Sequence, residues 1–124
     1  MFFSIVIPVF NRPDEINELL SSLCQTNFNE KFEIIIIEDG STIPCENVVQ
    51  KFKDKLDISY FLKYNSGPGD SRNFGMNLAQ GEYFILFDSD CIIPPNYLST
   101  VYQNLQNNYT DFYGGPDQAE NNFT

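Results

Sequence analysis

Asp88 and Asp90 are separated by one residue and follow directly on the apolar run Tyr83-Phe84-Ile85-Leu86-Phe87. Two carboxylates held this close repel, and a buried run beside them raises the cost of ionising both. A divalent cation relieves both effects. Carboxylate oxygens suit the hard ions Mg2+ and Mn2+, which take one or two protein carboxylates and complete their shell on substrate phosphates. The spacing therefore offers a metal that bridges protein to diphosphate; the plain alternative is a solvated acidic turn. Asp39, beside Glu38, ends another apolar run and precedes Gly40-Ser41-Thr42. A carboxylate there accepts a hydrogen bond from a base N–H or a ribose hydroxyl, or it serves an Asx turn or a helix cap. Arg72 follows the loop Gly67-Pro68-Gly69. Its planar donor fork suits a nucleobase carbonyl or a phosphate, and equally a partner carboxylate such as Asp70 or another nearby acid.

The rest of the composition narrows the chemistry. The 124 residues carry 17 acidic and 7 basic side chains, a net charge of −10, and no His. Ser–His–Asp and Cys–His systems and His-containing zinc sites are thereby excluded. No Lys/Arg cluster is present to displace counterions from a nucleic acid, so none is expected as partner. A hydrophobic fraction of 42%, with 12 Phe and 7 Tyr, marks a folded core rather than an acidic tail. Cys24, Cys45 and Cys91 are widely spaced and odd in number, the usage of packing thiols in a reducing compartment. No signal-like N-terminus and no window of 18 apolar residues occur, so the expected location is cytoplasmic and no membrane span is expected.

These side chains need a scaffold, and the apolar pattern supplies one. Ser4–Phe10, Phe32–Ile37, Ile58–Leu62 and Tyr83–Phe87 read as strands, the first two nearly continuous in apolar character, as for strands covered on both faces. Between them lie helix-period segments. Pro13, Asp14 and Glu15 suit a helix start, followed by Ile16, Leu19, Leu20 and Leu23 on one stripe. Val48, Val49, Phe52 and Leu56 suggest a second helix. Residues 70–80 predict a third, stopped by Gly81, and Pro94-Pro95 opens a fourth with Leu98, Val101, Tyr102 and Leu105. Asp111-Phe112-Tyr113 would begin a fifth strand, within an Asn-rich tail from Asn104 to Asn122. The alternation predicts an α/β fold, a mainly parallel open sheet with helices on both faces. Ligands of such sheets bind beyond the carboxyl ends of the strands. Asn11-Arg12, Glu38-Asp39 and Asp88-Ser89-Asp90 all stand there. Neither a dinucleotide fingerprint nor a P-loop is present, since Arg72 takes the third glycine position and no Gly-Lys-Ser/Thr follows.

Taken in order, Ser4-Ile5-Val6-Ile7-Pro8-Val9-Phe10-Asn11-Arg12, Ile37-Glu38-Asp39-Gly40-Ser41, Gly69-Asp70-Ser71-Arg72-Asn73 and Phe87-Asp88-Ser89-Asp90 resemble the family-2 glycosyltransferases of GT-A fold. The resemblance runs over residues 2–98, with Gly114-Gly115-Pro116-Asp117 similar to a further segment of some members. It implies a nucleotide-sugar donor, most typically a UDP-sugar, whose glycosyl group passes with inversion to an acceptor hydroxyl on a glycan, polysaccharide or lipid carrier. Pro8, Val9 and Phe10 would line the nucleoside pocket, and Asp39 would hydrogen-bond the base with help from Arg72. Asp88, Ser89 and Asp90 match the D-x-D motif. Asp90 would bind Mn2+ or Mg2+ directly, and Asp88 would contact the ribose or reach the metal through water.

The same resemblance expects a domain about twice this length, with the catalytic base in its second half. Asp111, Asp117 and Glu120 are available carboxylates, but none stands in the expected context. Residues 1–124 therefore read as an incomplete fold, the donor-binding half of one domain, without acceptor half or base. Its missing regions would allow contact with the inner face of a membrane, and its exposed sheet edge allows a homodimer. A sugar nucleotidyltransferase is the nearest alternative, but it wants a Gly-rich basic loop where Asn11-Arg12-Pro13 stands. A non-catalytic metal-binding α/β signalling domain would want an Asp after the third strand, where Lys63-Tyr64-Asn65 offers none.

Overall fold

The computed structural model describes residues 1–107. Four strands and four helices alternate: β1 (Phe3–Val9), α1 (Pro13–Cys24), β2 (Phe32–Asp39), α2 (Glu46–Phe52), β3 (Ile58–Lys63), α3 (Pro68–Leu78), β4 (Tyr83–Leu86) and α4 (Tyr97–Asn107). The strands form one parallel sheet in the order β3-β2-β1-β4, as the alternation predicts. Every residue of β1 is buried, the signature of a strand with helices over both faces.

The two faces follow from the chain's path. Steps from β1 to β2 and β2 to β3 run one way along the sheet, whereas β3 to β4 runs back past two strands. Right-handed crossovers then put α1 and α2 on one face and α3 on the other. Phe3, Ile5, Ile7, Val9, Ile34, Ile36 and Ile58 accordingly pack with Leu19, Leu20, Leu23 and Val49 from α1 and α2, and with Leu98, Val101 and Leu105 from α4. Each such side chain, fully removed from water, contributes roughly 1.5–3 kcal/mol of burial. On the opposite face α3 lies close over β1 and β2. A Cβ on Gly75 would stand 2.5 Å from Cγ1 of Val6, so only glycine permits this approach.

Several boundaries differ from the sequence reading. The third helix begins at Pro68, two residues earlier than the pattern predicts, with Pro at its first position. Its C-cap is Ala79, and Gly81 is no helix stop. Gly81 is required for a different reason: a Cβ there would meet the backbone N and Oγ of Ser4 at 2.7 Å. The second helix ends at Phe52, leaving Leu56 in the turn that follows. Pro94-Pro95 precedes the fourth helix by a turn, and that helix starts at Tyr97. The fourth strand closes at Leu86, although Phe87 N–H still donates to Val6 O at 3.1 Å. The expected fifth strand at Asp111-Phe112-Tyr113, and Asp117 and Glu120 with it, lie outside the described residues. Among the described residues no helix is long and apolar enough to cross a membrane.

Candidate functional site

A cleft of about 450 Å³ opens beyond the carboxyl ends of β1, β2 and β4. It lies beside the β1–β4 pair, where the strand order β3-β2-β1-β4 reverses, the switch point of an open α/β sheet. Pro8, Val9, Phe10, Asp39, Asp88, Ser89 and Asp90 all line it, seven of the eight residues singled out from the sequence. Arg12, Glu15 and Pro68 complete the lining. Of these, Glu15 was legible only as an acid suited to the first turn of α1. Nothing in its spacing indicated that it would turn toward the cleft.

Arg72, the eighth residue, stands behind the lining on α3. Its Nη2 donates to Asp88 Oδ1 at 2.9 Å, so the acid it pairs with is the first of the D-x-D rather than Asp70. Ser89 Oγ donates to Glu15 Oε1 at 2.7 Å, while Arg12 Nε lies 3.8 Å from Glu15 Oε2. The motif is thus held from both sides, Asp88 by α3 and Ser89 by α1. Asp90 is exposed and makes no hydrogen bond or ion pair among the described residues.

Asp39 is buried and fully engaged. Oδ1 accepts from Lys63 Nζ at 2.6 Å and Ser66 N–H at 2.9 Å. Oδ2 accepts from Gly67 N–H at 3.0 Å and, at the limit of 3.5 Å, from Asn65 Nδ2. Burial works against ionisation here, but the Lys63 ammonium and the two backbone donors outweigh it. The carboxyl is held below the usual carboxylate range. The Asp39 carboxylate forms neither the Asx turn nor the helix cap weighed from sequence. It pins the β3–α3 loop, including the N-cap Gly67 of the helix that carries Arg72.

Glu38, the neighbouring residue, faces the other side of the sheet and is wholly buried. Oε1 accepts from Cys45 N–H at 2.8 Å and Tyr60 OH at 2.6 Å, and Oε2 from the Ser41 hydroxyl. Burial, and then the Glu38 carboxylate, push both the Cys45 thiol and the Tyr60 hydroxyl far up. Cys45 is buried in the core, a packing thiol, as its spacing predicted.

The donor chemistry of the site suits a hard cation. Among the described residues no group of three or more metal-ligating side chains converges. Two carboxylates on one turn remain, and Asp88 already draws in the cation of Arg72. This set fits Mg2+ or Mn2+ finishing its shell on a diphosphate, and does not fit an all-protein cage.

The sequence profile described as Glycosyl transferase family 2 matches residues 4–124. The chain belongs to glycosyltransferase family 2. Within that family it is 33% identical over 114 residues to the Staphylococcus aureus poly(ribitol-phosphate) beta-N-acetylglucosaminyltransferase TarS, covering 90% of this chain and 20% of TarS. It is 32% identical to the Campylobacter jejuni GalNAc(5)-diNAcBac-PP-undecaprenol beta-1,3-glucosyltransferase, covering 90% of this chain and 37% of that one. The crystal structure of TarS 1–349 in complex with UDP-GlcNAc superposes with a TM-score of 0.84 at 33% identity, over 90% of this chain and 33% of that one. At 19% identity, the Pyrobaculum calidifontis mannosyltransferase PcManGT, in complex with GDP-Man and Mn2+, shares the fold with a TM-score of 0.78. The sheet and its helices thus match the N-terminal part of the TarS GT-A structure, and the chain spans between about a fifth and two fifths of the relatives named here.

Proposed function

We propose that this chain is the donor-binding part of a glycosyltransferase that uses a UDP-sugar and a divalent cation. The observation that carries the reading is one cleft, at the switch point of the sheet, into which the ends of β1, β2 and β4 bring Pro8, Val9, Phe10, Asp39, Asp88, Ser89 and Asp90. A structural relative at 33% identity has been captured with UDP-GlcNAc, which supports a uridine nucleotide as the donor's leaving group.

Each residue then has a task set by its surroundings. Phe10, half exposed at the cleft mouth, offers an aromatic face to a base, and Pro8 and Val9 wall the pocket. Asp39 accepts a base N–H at Oδ2 in place of Asn65, its longest and weakest partner. Arg72 holds Asp88 to the nucleoside side and completes recognition of the base with its remaining donors. Asp90 is the direct ligand for Mn2+ or Mg2+, and Asp88 contacts the ribose or reaches the ion through water. When bound, the ion stabilises negative charge on the departing diphosphate as a Lewis acid. Transfer proceeds with inversion to a hydroxyl of a glycan, polysaccharide or lipid-linked acceptor, with base and acceptor site outside residues 1–107. Titration with UDP, GDP and TDP, with and without Mn2+ or Mg2+, tests the reading. It expects metal-dependent binding of UDP, and is contradicted by binding of none of the three.

A further inference from the structure

Glu38 takes no part in the cleft, yet three donors converge on it in a fully buried position. One of them leads back to the site. Ser41, donating its hydroxyl to Glu38, accepts the backbone N–H of Asn11 at 2.8 Å. Asn11 in turn accepts at Oδ1 from Thr42 N–H at 2.8 Å, Ile43 N–H at 2.9 Å and Thr42 Oγ1 at 3.3 Å. Among the described residues it is the one non-glycine with positive φ, 54°. An L side chain adopts that conformation at a cost, and neighbouring structure must hold it there. Its sequence neighbours, Phe10 and Arg12, both line the cleft.

Resting on the donor reading above, we infer that Glu38 and Ser41 are positioning residues for donor binding. Through a relay from Glu38 to Ser41 to Asn11 they fix the left-handed turn that aims Phe10 and Arg12 into the nucleotide cleft. A free carboxylate accepts from all three donors at once, which the neutral amide of Gln cannot do. This explains why an acid stands at a site with no cation among its bonded partners. Tyr60 bonds the same carboxylate from β3, on the side away from Asn11, so it contributes to folding without belonging to the relay.

That asymmetry supplies the test. UDP affinity in the presence of Mn2+ is measured for the wild-type chain, Ser41→Ala, Ser41→Thr, Glu38→Gln and Tyr60→Phe, each with its Tm. Ser41→Ala and Glu38→Gln are expected to bind UDP about five- to tenfold more weakly. Ser41→Thr, which keeps the hydroxyl, restores affinity. Tyr60→Phe lowers Tm and leaves affinity within about twofold. Loss of affinity that merely tracks the loss of Tm across all variants, Tyr60→Phe included, overturns the inference, as does undiminished binding by Ser41→Ala. Failure of the wild type to bind UDP under any metal condition overturns the donor reading and the relay's role together.

Discussion

Arg72 on α3 and Asp88 after β4 form an ion pair at 2.9 Å, which joins the helix over one face of the sheet to the acidic turn at its edge. The pair half-neutralises a motif whose other carboxylate, Asp90, is left to the cleft. Because Asp88 is more than half exposed, the pair contributes only about 0–1 kcal/mol to folding. Its value lies in where it holds Asp88.

Arg72→Ala is therefore expected to change the urea midpoint little and to weaken Mn2+-dependent UDP binding about tenfold. Arg72→Lys keeps the charge but loses the planar fork, and recovers only part of that affinity. Calorimetric titration beside urea unfolding separates the two effects. Wild-type affinity in Arg72→Ala would remove Arg72 from the site.

Glu15 is expected to act through Ser89. Glu15→Ala removes the acceptor of the Ser89 hydroxyl and weakens UDP binding about threefold, a loss of the order of one net hydrogen bond. Glu15→Gln keeps an acceptor oxygen and stays close to wild type. Equal losses in both would mean that charge, and not the bond to Ser89, is what matters.

Asp39 predicts a pH dependence of stability. Its folded-state carboxyl is held below the unfolded value, near 3.9, by Lys63 and two backbone N–H groups. The stabilisation is thus present above the unfolded value and is lost as pH falls through the folded one. Urea midpoints taken from about pH 6 down to pH 2 should fall less steeply for Asp39→Asn than for wild type. Asp39→Ala strands a largely buried Lys63 ammonium and is expected to cost about 3–5 kcal/mol at neutral pH. Parallel pH profiles for wild type and Asp39→Asn would contradict this assignment.

Gly75 sets the height of α3 above the sheet. Gly75→Ala drives a methyl into Val6, a stiff and fully buried neighbour, at a cost of about 1–3 kcal/mol. Val6→Ala in the same chain should recover part of that loss. A double-mutant cycle by chemical denaturation reads the coupling, and strict additivity would show that the contact does not limit the packing.

Much of this was visible in the sequence because period and chemistry pointed the same way. The continuous run Ile34-Ile35-Ile36-Ile37 reads as a strand covered on both faces, and it is the centre of the sheet. Asp88 and Asp90 stood out because like charges at a strand end ask for a counter-charge. Boundaries set by tertiary contact were not visible. Gly81 looks like a helix stop and is instead the place where the backbone passes Ser4. The same limit applies to Glu15 and to the buried set on Glu38. Their partners lie 74 and 22 residues away in sequence, for Ser89 and Tyr60, and no local spacing announces them. Asp39 was legible as a strand-end carboxylate, and it lines the cleft, but its hold on the β3–α3 loop emerges only once β2 and β3 are paired.

In the proposed function, Asp90 carries a cation which joins this chain to a nucleoside diphosphate. The most direct measurement is the UDP affinity of wild type and Asp90→Asn, each with Mn2+ and with the ion chelated. Asp90→Asn preserves shape and removes the charge. Tight UDP binding is expected only for wild type with Mn2+, with the metal's benefit abolished in the variant. A benefit from Mn2+ that is equal in both proteins would contradict that role for Asp90.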